Sequence, residues 1–456
     1  MLNLSFNQSL QYSMKRIFTI ALIMLLVQGT TVNAQQNEVN YDKEKIGPYT
    51  LEDPLRFVNG KKVKNMKDWE LRRQEILDIF QREMYGQMPP KSDIYTEKLE
   101  EGKTLAGFAT RRQIRMWFNA DKTGPYIDWL VVTPNFVKGP APTIMLLNYQ
   151  GNHTVMTDPE IFISERWKKE NDALGEEGKR ICEESRGKFA GQNTRTLFPV
   201  GMVIARGYAL VTACYGDISP DPDDADEQAR LAYTQVFDLW GPRDDSRDDN
   251  TTALGAWGWA LMRGMDMIEK DDLLDEKRVL LTGSSRLGKA ALIAGAFDER
   301  FPVVVPNQTG GGGAPLAKRN FGENAFTMNR MFTHWYCKAY RKYAKNEQAM
   351  PFDQHLLLSC VAPRALMIQG FDEAWFDTEG EFLALKAASP VWEKFGKKGL
   401  PKVDWPDDYD TSAIGQYLAY VRRTEEHGIS ACDWTWMMDF ADGVWGKQGC
   451  KDSPGH

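Results

Sequence analysis

Beyond residue 100 the chain alternates short runs of aliphatic and β-branched residues with stretches in which apolar positions recur every three or four residues. A short unbroken apolar run between turn formers reads as a strand buried on both faces, and the longer period reads as a helix packed against it. This pattern predicts strands at Trp129–Thr133, Thr143–Asn148, Tyr208–Cys214, Val279–Thr282, Val303–Pro306, Ala365–Gln369 and Tyr417–Val421. Strands and helices alternating in this way build a mostly parallel central sheet with helices on both faces, an α/β fold of three layers. Upstream, residues 35–100 are polar, with an amphipathic period from Trp69 to Tyr85 and a stop at Pro89-Pro90. They read as an N-terminal wrap on the same body, so residues 35–456 are expected to form one domain. No internal repeat or low-complexity linker divides it.

The N-terminus departs from that pattern. Lys15 and Arg16 precede the apolar run Ile17–Val27, and a polar stretch then ends in Val32-Asn33-Ala34. A charged start, a short greasy segment and small residues before a cut make a secretory signal peptide over residues 1–34, with cleavage expected after Ala34 and Met14 as an alternative start. The eleven-residue run is too short to span a bilayer core of about 30 Å, which takes about 20 residues. The expected destination is the periplasm or the medium, with no membrane insertion after cleavage.

At 42% hydrophobic and 26% charged residues the chain is neither disordered nor fibrous. Its net charge of −7, which becomes −9 when Lys15 and Arg16 leave with the signal peptide, supplies no cationic field for nucleic acid or anionic membranes. Six cysteines, at 182, 214, 337, 360, 432 and 450, would enter a compartment that permits pairing. None forms a CxxC and no Cys/His spacing resembles a structural zinc site, so free buried thiols stand beside disulfides as an equal expectation. The acidic, proline-broken run Asp217–Asp226 lacks the register of a calcium-binding EF-hand loop and is expected to be a solvated surface loop.

The segment Arg278-Val-Leu-Leu-Thr-Gly-Ser-Ser-Arg-Leu-Gly-Lys289 carries the chemistry. An aliphatic strand breaks at Gly283 and resumes as a helix over Leu287–Phe297, which lifts Ser285 out of the sheet on a sharp corner above a helix N-terminus, as in a nucleophile elbow. The generic GxSxG is not met, because Gly283 precedes Ser285 by two but Gly288 follows it by three. A serine hydroxyl needs a base at neutral pH. Of five histidines, His456 is terminal, His334 and His355 sit in apolar or aromatic runs as core residues would, and His153 follows an early strand. His427 directly follows the last predicted strand and is the base by chain order. The acid should follow the strand Ala365–Gln369, where Asp372, Glu373 and Asp377 compete. The order serine, acid, histidine is that of an α/β-hydrolase, in which the acid orients the imidazole and stabilises its cation.

Gly283-Ser-Ser-Arg-Leu-Gly-Lys289 resembles the GxSRxGK nucleophile signature of the glucuronoyl esterases, carbohydrate esterase family 15. Further segments are similar: Gly151-Asn-His-Thr154, Gly255-Ala-Trp-Gly-Trp259, Gly310–Gly313 with Arg319–Glu323, Pro351–His355, Ala362-Pro-Arg364, and His427-Gly with Asp433-Trp434. The resemblance spans roughly residues 40 to 445 and implies Ser285 as nucleophile and His427 as base. It implies Arg286 as oxyanion stabiliser, and Lys289, Glu323 and Trp375 as binders of the sugar. Lys289 and Arg286 could equally be solvated helix residues, and Trp375 a core residue. Fungal members place the acid after the strand that follows the elbow; Gln308 occupies that position here and cannot be a carboxylate partner. Bacterial members place an acid after the later strand, which selects Glu373 over Asp372 and Asp377. The cysteine that fungal members carry before the serine is Ser284 here, so that disulfide is absent.

The resemblance implies a secreted, monomeric serine esterase that cleaves 4-O-methyl-glucuronoyl esters linking glucuronoxylan to lignin alcohols, with no cofactor and no metal. The alternatives are an acetyl xylan esterase with the same triad, a serine peptidase, or an inactive carbohydrate-binding relative.

Overall fold

The computed structural model describes residues 39–191 and 196–446. The expected signal peptide, Cys450 and His456 lie outside the described residues. Nine strands form one sheet in the order β1-β2-β3-β5-β4-β6-β7-β8-β9. They are β1 Tyr95–Thr104, β2 Ala109–Trp117, β3 Tyr126–Pro134, β4 Ala141–Asn148, β5 Ala209–Cys214, β6 Leu274–Ser284, β7 Val303–Asn307, β8 Ala365–Phe371 and β9 Leu418–Arg423. Strands β5, β4, β6, β7, β8 and β9 pair in parallel, while β1, β2, β3 and β5 pair antiparallel along the other edge.

The unbroken apolar runs follow from burial on both faces. In β6, Val279 and Leu281 enter one core and Leu280 the other; in β7, Val304 opposes Val303 and Val305. The first core is closed by the helices Ala253–Ile268 and Arg286–Phe297, the second by Val200–Ala205 and Ala431–Trp445. Every residue of Ala253–Ile268 is buried, which is why apolar residues occupy all its faces rather than one stripe, and its two charged residues, Arg263 and Asp266, pair with each other at 2.8 Å. This is the three-layer α/β-hydrolase architecture expected from the pattern.

All seven expected strands are present, with boundaries shifted by a few residues. Two further strands, β1 and β2, lie where the apolar-run criterion is blind. β1 reads YTEKLEEGKT and alternates between exposed and half-buried positions at the sheet edge, so it carries no continuous apolar run. β1 begins at Tyr95, inside the segment 35–100 read as a wrap. β9 extends two residues past its expected end to Arg422 and Arg423, buried cations that a hydrophobic pattern excludes. The amphipathic segment forms the helix Met66–Phe80 and a wider turn over Gln81–Tyr85. Its Trp69, Ile76, Phe80, Met84 and Tyr85 join the first core, and Arg73 Nε donates to the carbonyl of Cys360 (2.9 Å).

Cys182, Cys214, Cys337 and Cys360 are buried free thiols, and Cys432 is a half-buried one. Among the described residues no helix is long and apolar enough to cross a membrane.

Ile293 of the Arg286–Phe297 helix is fully buried and presses against the neighbouring helix at Gly258, where a Cβ would stand 3.0 Å from its Cγ2. Ile293→Ala should cost about 2–5 kcal/mol in equilibrium urea unfolding, the range for emptying a tightly packed aliphatic site.

Candidate active site

The ends of four adjacent parallel strands deliver the chemistry to one edge of the sheet, as open α/β sheets do. Ser285 follows β6, Gln308 follows β7, Asp372 and Glu373 follow β8, and the loop carrying His427 follows β9.

Ser285 joins β6 to the Arg286–Phe297 helix with φ 57° and ψ −128°, a conformation L-residues rarely adopt. Its N–H donates to the carbonyl of Asn307 (2.9 Å), and its own carbonyl accepts from the N–H of Lys289 (3.0 Å). The two glycines of the signature permit the corner. A Cβ on Gly283 would lie 2.3 Å from the carbonyl oxygen of Leu287, and one on Gly288 would lie 2.8 Å from that of Asn307. Gly288 thus has a packing reason for standing three residues after the serine. Tyr149 donates its hydroxyl proton to the carbonyl of Ser284 (2.6 Å), bracing the corner from the β4 side.

Beside the serine, the Arg286 guanidinium pairs with Asp221 and lies 4.7 Å from the ring centroid of Trp335. The Asp221 side chain is 1% exposed and accepts from His334 Nε2 (2.7 Å), Trp335 Nε1 (2.8 Å) and the Tyr215 hydroxyl (3.1 Å). Burial works to raise its pKa, but the hydrogen bond from His334 and then the Arg286 charge outweigh it and hold the carboxyl at about 2. The same partnership raises the pKa of Arg286 against its own burial. The expectation that Asp217–Asp226 is a solvated loop is therefore corrected. Ile218, Ser219 and the side chain of Asp221 are buried, and the loop anchors the arginine. Ile218, an apolar residue inside an acidic run, was the sequence signal that part of the loop turns inward.

His427 Nδ1 is 2.8 Å from Gln308 Oε1. The amide orientation is fixed by Gly428, whose N–H donates to the same oxygen (2.8 Å) and whose carbonyl accepts from Gln308 Nε2 (2.7 Å). An oxygen that already accepts from a backbone N–H requires Nδ1 of the imidazole to be the proton carrier, which leaves Nε2 with its lone pair. The ring packs against Phe376 and Phe371, at centroid distances of 4.6 and 5.3 Å.

Of the three carboxylates after β8, Asp377 is buried against Arg319 (3.1 Å from each oxygen) and caps the helix Thr378–Ala388 through the N–H of Gly380. Burial pushes its pKa up to about 6 against the pull of Arg319. Asp372 is exposed, 3.7 Å from Arg422. Glu373, also exposed, opens the turn Ala374–Phe376 that brings the Phe376 ring to His427.

The three expected sugar binders are assembled together. Glu323 Oε1 accepts from Trp375 Nε1 (2.6 Å), and Oε2 accepts from the N–H of Gly311 (2.6 Å) and faces Lys289 Nζ at 3.8 Å. Lys289, 2% exposed and 5.2 Å from the Trp335 centroid, is not a solvated helix residue. Burial lowers the pKa of Lys289 and raises that of Glu323, each opposed by the other's charge. Trp375 is half-buried, so it is not a core residue.

The other described histidines are buried and hydrogen-bonded to groups other than Ser285 and His427. His334 is fully buried on Asp221, and His355 is fully buried beside the Glu52 carbonyl (2.7 Å). His153 follows β4 as expected but turns away to Ser185 (2.8 Å), with burial lowering its pKa to about 4.

A family model for the fungal glucuronyl esterases matches residues 198–396. The chain is 35% identical to carbohydrate esterase MZ0003 of an unknown prokaryotic organism, across 93% of this chain and 98% of that one. A 4-O-methyl-glucuronoyl methylesterase of Phanerochaete carnosa is 24% identical over 80% of this chain and 75% of its own. Among solved structures, the glucuronoyl esterase from Solibacter usitatus superposes with a TM-score of 0.79 at 35% identity, across 88% of this chain and all of that one.

Asp221→Asn should destabilise the fold by about 1–3 kcal/mol at pH 7, allowing for the partial exposure of Arg286. A carboxyl with a lowered pKa stabilises the fold above its unfolded value and loses that contribution as pH falls through its folded value. The gap between wild type and Asp221→Asn in urea unfolding should therefore shrink between about pH 4 and pH 2.

Proposed function

The chain belongs to the glucuronoyl esterases of carbohydrate esterase family 15 and is a carboxylic ester hydrolase, and we propose that Ser285 and His427 cleave 4-O-methyl-glucuronoyl esters joining glucuronoxylan to lignin alcohols. His427 Nε2 takes the proton of the Ser285 hydroxyl as Oγ attacks the ester carbonyl. The developing oxyanion is met by Arg286, whose guanidinium is held beside the corner by Asp221 and so needs little reorganisation. As the tetrahedral intermediate collapses, the leaving alcohol takes the proton from Nε2, and a glucuronoyl-enzyme remains. Water then repeats the steps in reverse roles and releases the uronic acid.

Gln308 holds the imidazole tautomer but, being neutral, does not balance the imidazolium formed in each half-reaction. The family resemblance assigns Glu373 to that task; Asp377 is committed to Arg319 and the helix cap. The observation that carries the substrate class is the contact of the buried Lys289 with Glu323 and of Glu323 with the half-buried Trp375, because Lys289 stands one helical turn past Ser285. An acetyl group offers nothing for such a cluster to bind, which favours a uronate over xylan acetate. The expected signal peptide over residues 1–34 supports a secreted or periplasmic enzyme.

Purified residues 35–456 should hydrolyse benzyl glucuronate, and Ser285→Ala should abolish that activity with its circular dichroism unchanged. Release of acetate from acetylated xylan alone would keep the nucleophile and overturn the substrate. Glu373→Gln should lower turnover by about 10²-fold or more, with Asp377→Asn much milder at temperatures where it stays folded. Equal losses in the two variants would refute the assignment of Glu373. Arg286→Ala should lower kcat by about 10²-fold while changing KM little.

A further inference from the structure

Beneath the site a line of buried polar groups connects the nucleophile's backbone to the loop that carries the base. The Ser285 N–H donates to the Asn307 carbonyl, and Asn307 Nδ2 donates to Gln369 Oε1 (2.6 Å). Gln369 Nε2 then donates to the carbonyl of Asp433 (2.9 Å). The Asp433 carboxylate accepts from Arg423 Nε (2.7 Å) and from the N–H and hydroxyl of Ser430 (2.8 and 3.2 Å). Arg423 itself turns the remaining edge of its guanidinium to the histidine loop. Nη1 donates to the Glu426 carbonyl (3.1 Å) and to Glu425 Oε2 (3.3 Å), and Nη2 donates to the Gly428 carbonyl. The peptide carbonyls on either side of His427 are thus tied to one planar group.

We propose that Arg423 is a positioning residue for the base, holding the Glu425–Gly428 loop at a fixed distance from the Ser285 corner. The inference rests on the esterase reading and deepens it. The Arg423 and Asp433 side chains are 1% and 0% exposed. A buried ion pair is a poor source of net stability, because desolvation consumes most of the attraction and an apolar pair of similar volume is often as stable. What the pair supplies is direction. Arg423 stands at the last residue of β9 and Asp433 in the first turn of the Ala431–Trp445 helix, so both ends are anchored on regular elements. A lysine could keep the charge contact with Asp433, but a single ammonium cannot reproduce the planar fork that reaches both carbonyls.

The test uses Arg423→Lys in the full mature chain, with benzyl glucuronate as substrate and the proton resonance of the His427 Nδ1–H as a second readout. The expected result is a kcat lower by about 10²-fold with KM unchanged, since a displaced base costs rate rather than binding. The Nδ1–H resonance, sharp in the wild type, should broaden or vanish in the variant. A folded Arg423→Lys with wild-type kcat overturns the proposal, as does a loss of kcat that merely tracks a fallen Tm. Should the variant not fold, the wild type decides: a Nδ1–H in fast exchange with solvent refutes a clamped loop, and a protected one upholds it. A wild type inert towards benzyl glucuronate would instead sink the esterase reading, and the resonance alone would then judge the clamp.

Discussion

A serine held in the left-handed region stores strain of about 1–3 kcal/mol, and the rest of the molecule is arranged so that it cannot relax. On one side β6 is sealed between β4 and β7 in parallel register, so the strand cannot rotate. On the other, the Arg286–Phe297 helix begins at once and its buried face is locked against the Ala253–Ile268 helix. Between them, Gly283 and Gly288 admit backbone atoms at distances that any side chain would forbid. The strained corner, the missing side chains and the double-sided burial of the sheet are one constraint seen from three directions.

Charge is distributed around that corner according to the same logic. Lys289 is buried and Arg286 mostly buried close to the nucleophile, and each meets a carboxylate that accepts from further donors as well. Asp221 has Trp335 and Tyr215 as well as His334; Glu323 has Trp375 and the Gly311 N–H. A cation fixed in this way loses little entropy or solvation when an oxygen anion approaches it, which is what distinguishes a preorganised charge from a mobile one. Indole donors recur because each offers a single N–H on a large apolar body, satisfying a carboxylate without admitting water.

The strands that build this site were legible because a parallel strand covered on both faces has little choice but to be apolar. β1 was illegible for the opposite reason: a water-facing edge strand is written in charged residues, and its partner β2 with Arg111, Arg112 and Gln113 is no plainer. Ser285 and His427 could be placed from chain order, since both follow strands. Lys289, Glu323 and Trp375 came from the family resemblance, and the structure brings them into contact. Asp221 was hidden because its function depends on His334 and Trp335, more than a hundred residues away, and nothing local distinguishes it from its acidic neighbours. The buried cations of β9 escaped for a related reason: hydrophobic pattern treats an arginine as a boundary, whereas a paired one can be as interior as a leucine.

Gln308 holds the His427 ring where a carboxylate would also have carried charge. In a serine hydrolase the third residue both aims the imidazole and balances its charge; here an amide does the aiming, through the ring nitrogen and the Gly428 backbone together. An amide does not ionise, so the acceptor of this hydrogen bond carries no charge to gain or lose. Glutamine and glutamate codons differ by a single base. A lineage could therefore pass between the two at this position in one mutational step without losing the histidine's orientation, provided a carboxylate elsewhere took over the electrostatic share. On the proposed assignment of Glu373 the site would have two addresses for its acid, and an exchange at position 308 would leave the His427 ring held through Nδ1 as it is here.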